Sequence, residues 1–393
     1  MKDAEREIIM EIKKNPFTES LKSLSTIFLL IALFLFGTPV NIIATDTQSQ
    51  CPLSCQIYTI PVMLTPGEIT SYDVVGTLCT MGSLENKTVQ VLISGATYGH
   101  VYWDFPYRPW RYSYVRMAAR FGYATFNIDR IGIGASDHPS GAEINVDVNA
   151  YVVHQIVQAL RAGEIGGVAF QRVMLVGHSL GSYISIAVAS QFQGDVDGVI
   201  LTGFLHNVNP EFDDPTNYFY PANLDPHFSG LGLDDNYFTT VPGVRGDLFY
   251  YTPNTEQAVI NMDEETKETA TTGEFASLED LVTSTDSLLI DVPVLIVIGR
   301  FDYIICGGDV DCSDRFSVIN HEQPFFSPEA CFRVSIVPNS GHDLNLHKNA
   351  PRAYIRMLFW ANRHVGTVFN LPASCDCPQN QPGIFRSHIS FRP

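Results

Sequence analysis

The chain has 393 residues, 45% of them hydrophobic and 17% charged, which is enough apolar material for a sizeable core and too much for a disordered chain. Its formal net charge of -18 argues against nucleic-acid binding, because a phosphate backbone requires a basic face. The acidity is concentrated: between Asn207 and Ile290 sixteen Asp or Glu stand against only Arg245 and Lys267, a composition that should repel anionic small molecules.

The first 45 residues read apart from the rest. Ile27 to Phe36 is apolar, Gly37, Thr38 and Pro39 follow, and Ile42-Ile43-Ala44 offers a small residue for cleavage. The apolar run is shorter than the roughly 20 residues that span a bilayer, so residues 1–45 are expected to be a signal peptide of a secreted protein. The alternative is a membrane anchor in the secretory pathway through residues 27–43. All eight cysteines (Cys51, Cys55, Cys79, Cys306, Cys312, Cys331, Cys375 and Cys377) lie after this segment. An even number in an exported chain suggests disulfides, with Cys306 and Cys312 near enough to staple one loop. Zinc-finger spacing is missing, and no metal or other cofactor is expected.

From Ile57 to Leu64 and from Tyr72 to Cys79, two β-branched stretches flank Thr65-Pro66-Gly67 and predict a hairpin. Asn86-Lys87-Thr88 is a glycosylation sequon in a polar turn, with Asn86 as acceptor. Thr88 to Ile93 predicts a buried strand that runs into Ser94-Gly95-Ala96-Thr97-Tyr98. Six aromatic residues follow between Tyr98 and Trp110. They suit either a packed cluster under a loop or a substrate pocket, and Tyr98, Tyr102 and Trp103 are the pocket candidates.

Helical spacing over Tyr112–Phe121 ends at Gly122, and Tyr123 to Ile128 predicts a strand. It leads into Asp129-Arg130-Ile131-Gly132-Ile133-Gly134-Ala135-Ser136-Asp137, which lacks the third glycine of a dinucleotide-binding loop. Val146 to Ala162 predicts a helix. The apolar run Arg172 to Val176 then ends in Gly177-His178-Ser179-Leu180-Gly181, followed by a small-residue helix. A Gly-x-Ser-x-Gly pentapeptide between strand and helix forms a sharp turn that exposes its serine. Val196 to Leu205 predicts the next strand.

The rhythm breaks after Leu205. Asn209 to Gly246 is rich in Pro, Asp, Asn and aromatics, and Leu278 to Leu289 is expected to return as a helix. Val292 to Ile298 resumes the sheet, Ser335 to Val337 closes it, and Leu344 to Val365 predicts a final helix interrupted near Pro351. Alternating strands and helices imply an α/β fold: a doubly wound, mostly parallel sheet of about eight strands with right-handed crossovers. Its core divides into residues 51–206 and 291–365 around an acidic cap at 207–290, inserted between the strands ending near Leu205 and beginning near Val292. An irregular tail occupies 366–393.

Four segments in this order resemble the α/β-hydrolase superfamily, in its cap-bearing serine hydrolase branch: the Ser94-Gly95 loop, Asp129 to Ser136, Gly177 to Gly181, and a late acid and histidine. The resemblance covers about Ile57 to Val365. It implies a nucleophile at Ser179, an acid at Asp302 in Gly299-Arg300-Phe301-Asp302, and a base at His342 in Ser340-Gly341-His342-Asp343, the chain order that this fold requires. It also implies an oxyanion hole from the backbone amides of Leu180 and of Ala96 or Thr97. The chain has Ser94-Gly95 where the family often has His-Gly, and a serine at the elbow is incompatible with the epoxide hydrolases and dehalogenases, which need a carboxylate there. Asp309, Asp311 and Asp314, and His100, His154, His178, His321 and His347, are less well placed. The function implied is hydrolysis of a neutral, moderately apolar ester or lactone through an acyl-enzyme. The alternatives are a tailoring hydrolase of a biosynthetic pathway, performing lactone opening, carbon-carbon cleavage or cyclisation, and a non-catalytic binding protein on the same fold.

Overall fold

A computed structural model describes residues 52–212, 214–280 and 282–367; the predicted signal segment and the tail cysteines Cys375 and Cys377 lie outside the described residues. The strands of the main sheet before the cap are β1 (Leu53–Val62), β2 (Tyr72–Met81), β3 (Thr88–Ile93), β4 (Ala124–Ile128), β5 (Arg172–His178) and β6 (Gly198–Thr202). The cap contributes β7 (Phe219–Pro221), β8 (Tyr237–Thr240) and β9 (Ala270–Thr271), and the main sheet ends with β10 (Val294–Gly299) and β11 (Arg333–Val337). The eight strands of the main sheet are ordered β1-β2-β4-β3-β5-β6-β10-β11. Only β2 runs against the rest, antiparallel to both β1 and β4.

The sequence explains this order. Every residue of β3, β4, β6 and β10 is buried, as expected for parallel strands covered on both faces. Within β3 the side chains sort by face: Val89, Val91 and Ile93 join one apolar cluster and Leu92 the other. The first cluster is roofed by α2 (Val146–Ala162) and α3 (Leu180–Gln191), the second by α1 (Tyr114–Arg120) and α8 (Ala350–His364). Asn145 caps α2 by accepting from the Val148 amide, and Gly163 ends it at φ +80.

Two expectations need correction. The stretch Leu278 to Leu289 forms two short 3-10 turns, Leu278–Asp280 and Asp286–Leu289, since its Thr and Asp residues favour turns over a helix interior. Pro351 does not interrupt a helix; it stands in the first turn of α8, where its missing N–H costs nothing.

Between β6 and β10 the cap builds the sheet β7-β8-β9 together with α4 (Arg245–Phe249), α5 (Gln257–Glu265) and α6 (Thr272–Ser277). The last core helix before α8 is α7 (Arg315–Glu322). Cys55 and Cys79 are direct partners in the β1-β2 register and form a disulfide, and Cys306 bonds Cys312 as their spacing suggested. Among the described residues no helix is long and apolar enough to cross a membrane, and no group of side chains could hold a metal ion.

Candidate active site

Ser179 sits between β5 and α3 at φ 51, ψ -120, a backbone state that a side chain rarely adopts and that surrounding structure must enforce. The enforcement is steric. A β-carbon on Gly177 would lie 2.3 Å from the Gly181 carbonyl oxygen, and one on Gly181 would lie 2.3 Å from that of Ile93, so neither position admits a side chain. The Ser179 amide donates to Thr202 O at 2.8 Å, which ties the turn to the end of β6. Ser179 itself retains partial solvent exposure.

His342 and Asp302, from the turns after β11 and β10, pair with each other. Nδ1 of His342 is 2.9 Å from Asp302 Oδ2. Asp302 Oδ1 accepts from the amides of Ile304 and Ile305, each at 3.1 Å, so the carboxylate is fixed on both oxygens. Assigning the ring hydrogen to Nδ1 from this partner leaves Nε2 as a bare base. Burial works to lower the His342 pKa, yet the charge and hydrogen bond of Asp302 hold it above the ordinary value. A β-carbon on Gly203, at φ +60, would come 3.2 Å from His342 Cε1 and 2.9 Å from His178 Cε1.

Leu180 is the first residue of α3, so its amide belongs to the positive end of that helix. The loop after β3 presses on the elbow: a β-carbon on Gly95 would be 3.0 Å from Ser179 Cβ. Of the two candidate donors in this loop, Thr97 is already engaged, its amide donating to Thr269 O at 3.3 Å. That leaves Ala96.

The aromatic candidates pack inward. Tyr98, Tyr102 and Trp103 are buried in the second apolar cluster. The Tyr102 ring stacks on His178 at 4.2 Å, and Trp103 meets Tyr102 and Tyr114 edge-on. All three rings are thus packed within this cluster, Trp103 against Tyr114 of α1 and Tyr98 against Phe249 and Arg245 of the cap.

His178 is neutral: burial, and then the nearby His342, push its pKa well down. Its Nδ1 is 3.2 Å from Thr202 Oγ1 and its Nε2 3.2 Å from Asp343 Oδ1. The Thr202 hydroxyl donates to Gly177 O at 2.9 Å and therefore accepts from His178 Nδ1. Nε2 is then bare and needs a donor, which a protonated Asp343 supplies. Burial and the Asp263 charge push Asp343 up to about 8, in agreement with that count. Tyr98 donates its hydroxyl to the other oxygen of Asp343.

The segment Asp129 to Ser136 has a structural task. Asp129 accepts from the amides of His100 (2.9 Å) and Ala135 (3.1 Å) and from His100 Nδ1 (2.8 Å). Arg130 is fully buried, pairs with Glu274 of the cap, and donates to the carbonyls of Ser94 and Gly95 at 3.1 Å each. The other candidate histidines are also occupied. His154 meets Asp195, His321 meets His206 O, and His347 Nε2 accepts from the Gly341 amide at 3.0 Å. Asn86 is exposed in the β2-β3 turn, and its carbonyl accepts from Arg172.

Sequence reading missed Arg245, Asp263, Asp343 and Glu274. The available signal was the contrast of one arginine within so acidic a stretch.

A parallel sheet in this order, with a strained serine on its central strand-to-helix turn and a histidine-aspartate pair at its carboxyl edge, defines an α/β-hydrolase architecture. The sequence model of the alpha/beta hydrolase family matches residues 90–356, more than half of the chain, and the protein belongs to that family. Solved structures with the same fold include an esterase from Exiguobacterium antarcticum (14% identity, TM-score 0.52, covering 75% of this chain and 97% of that one). A thermophilic esterase from Thermogutta terrifontis is similar at 16% identity and TM-score 0.50, covering 77% and 99%. A variant of a meta-cleavage product hydrolase is similar at 18% identity and TM-score 0.50, covering 78% and 97%.

Proposed function

We propose that the protein is a serine hydrolase that cleaves a neutral, moderately apolar carboxylic ester or lactone through an acyl-enzyme. The observation that carries this reading is the strained backbone of Ser179, held by glycines that tolerate no β-carbon. Ser179 Oγ attacks the ester carbonyl while His342 Nε2 takes its proton, and Asp302 stabilises the resulting imidazolium. The oxyanion is met by the amides of Leu180 and Ala96. The tetrahedral intermediate collapses to an acyl-serine as His342 protonates the leaving alcohol. Water, deprotonated by His342, then releases the acid and regenerates Ser179.

The acidic cap favours neutral over anionic substrates. The similar structures include two esterases and a meta-cleavage product hydrolase, so a tailoring reaction at the same serine is the second reading. A panel of p-nitrophenyl esters, lactones and vinylogous diketones separates the two. The basic test is a fluorophosphonate probe: it should label Ser179 in the folded protein and not Ser179→Ala, and an unlabelled folded protein sinks the reading.

Two disulfides among the described residues suit an oxidising compartment, which supports secretion. The intact mass of the exported protein tests this by showing whether residues 1–45 have been removed and whether Asn86 carries a glycan.

A further inference from the structure

Arg245 is entirely buried in the cap, and every face of its guanidinium is used. Nε and Nη2 donate to the two oxygens of Asp263 at 2.9 Å each, a bidentate pair. Nη1 bridges the cap and the loop after β3, donating to Thr240 Oγ1 at 3.2 Å and to Thr97 Oγ1 at 3.1 Å. The guanidinium carbon Cζ lies 4.1 Å from the centroid of the Tyr98 ring and 5.0 Å from that of Phe249.

From this one side chain, contacts run in two directions. One reaches Thr97, the residue after Ala96. Thr97 has φ +61, a state for a β-branched residue that neighbours must hold in place. The cap holds it twice more through backbone bonds, Thr97 N to Thr269 O at 3.3 Å and Glu268 N to Thr97 O at 3.0 Å. The other direction passes from Asp263, which also accepts from Tyr250 at 2.8 Å, to Tyr98, whose hydroxyl lies 3.2 Å from Asp263 and donates to Asp343. Asp343 adjoins His342 and contacts His178, the neighbour of Ser179. The oxyanion loop and both catalytic turns therefore share one buried anchor, and that anchor is in the cap.

We propose that Arg245 is a positioning residue for the oxyanion site: seating the cap through its guanidinium fixes the Ala96 amide and the His342 turn together. The inference rests on the serine-hydrolase reading. An ion pair that served only the cap's stability would have no use for Nη1 on Thr97. A lysine keeps the charge but loses the fork that makes both sets of contacts.

The test uses the exported full-length protein and its Arg245→Lys and Thr97→Val variants, with a p-nitrophenyl ester, an alkylboronic acid and the product alcohol as probes. The boronate forms a tetrahedral adduct on Ser179 that needs the oxyanion donors, whereas the alcohol does not. Arg245→Lys should lower kcat by about tenfold to a hundredfold and weaken the boronate in parallel, with KM and the alcohol's inhibition constant changed less than about threefold. Thr97→Val removes only the hydroxyl contact and should show the same pattern to a smaller degree, which covers the case in which the arginine variant does not fold. Unchanged kcat and boronate affinity in folded variants overturn the proposal, as does a loss carried wholly by KM. If the wild-type protein is not labelled by a fluorophosphonate, the serine-hydrolase reading fails and this proposal with it; labelled wild type with unaffected variants sinks this proposal alone.

Discussion

His342 and Asp343 are consecutive in the chain, yet their side chains enter different networks. His342 turns to Asp302 at 2.9 Å, while Asp343 turns to His178 at 3.2 Å and receives the Tyr98 hydroxyl. One peptide unit therefore joins the proposed base to the buried chain that supports the elbow. A shift of this turn would move His342 and the neighbour of Ser179 at once.

The pH dependence of the reaction should report His342. The base must be neutral to accept the serine proton, and its pKa is raised above the ordinary value, with burial opposing and Asp302 outweighing it. The rate, as kcat/KM, should thus fall as pH drops through a midpoint above about 6.5. Asp302→Asn removes the charge that favours imidazolium, so the midpoint should move to lower pH, and activity at neutral pH should fall on the order of 10³-fold or more. Glu268, pushed up to about 7 by burial and by Asp129, titrates in the same range. In Glu268→Gln the His342 limb should persist, which identifies its owner. Stopped-flow or steady-state pH profiles of the three proteins decide the matter.

Asp343 should behave as a neutral acid. Asparagine reproduces both of its roles in that state, donating to His178 Nε2 and accepting from Tyr98, so Asp343→Asn should keep activity within a few-fold, whereas Asp343→Leu leaves both partners unsatisfied and should lose most of it. Stability gives a second readout with a definite sign. A carboxyl whose folded pKa is raised, here to about 8, contributes stability that is complete below the unfolded value near 3.9 and is lost as pH rises towards 8. The denaturation midpoint of the wild type should therefore fall between pH 5 and pH 8 relative to that of Asp343→Asn. Parallel curves would show that Asp343 is ionised throughout.

The parts of the molecule written in local pattern were legible in the sequence. Thr88 to Ile93 and Val146 to Ala162 were predicted with their observed ends, because one is a continuous apolar run and the other a long 3.6-residue repeat. The glycine spacing around Ser179 marked the turn for a steric reason now visible in the Ile93 and Gly181 carbonyls. Leu278 to Leu289 forms turns where a helix is expected, since its apolar residues mimic a helix face while its polar ones favour turns. The aromatic run after Tyr98 was ambiguous by nature: a ring in a core and a ring in a pocket have the same composition. Arg245, Asp263 and Asp343 become a network only through contacts spanning up to 245 residues, which no local pattern encodes.

Arg130 carries the last prediction. It lies in the segment that resembles the family motif, but nothing about its position suggests attack on a substrate: it is fully buried, paired with Glu274, and spends its other donors on the Ser94 and Gly95 carbonyls. Glu274 has its own obligations, accepting from Asn149 Nδ2 at 3.0 Å and closing the capping box of α6 with Thr271. Arg130→Met keeps most of the volume but strands the carboxylate, and removing one partner of a buried pair costs about 3–5 kcal/mol. The thermal midpoint should drop by several degrees or more. Adding Glu274→Gln to Arg130→Met removes the stranded charge and should recover part of that loss, since a buried pair often contributes little beyond what its isolated members cost. Calorimetry on the single and double variants measures this. A double variant less stable than Arg130→Met would mean that the Glu274 carboxylate is held by Asn149 and the α6 cap independently of the arginine.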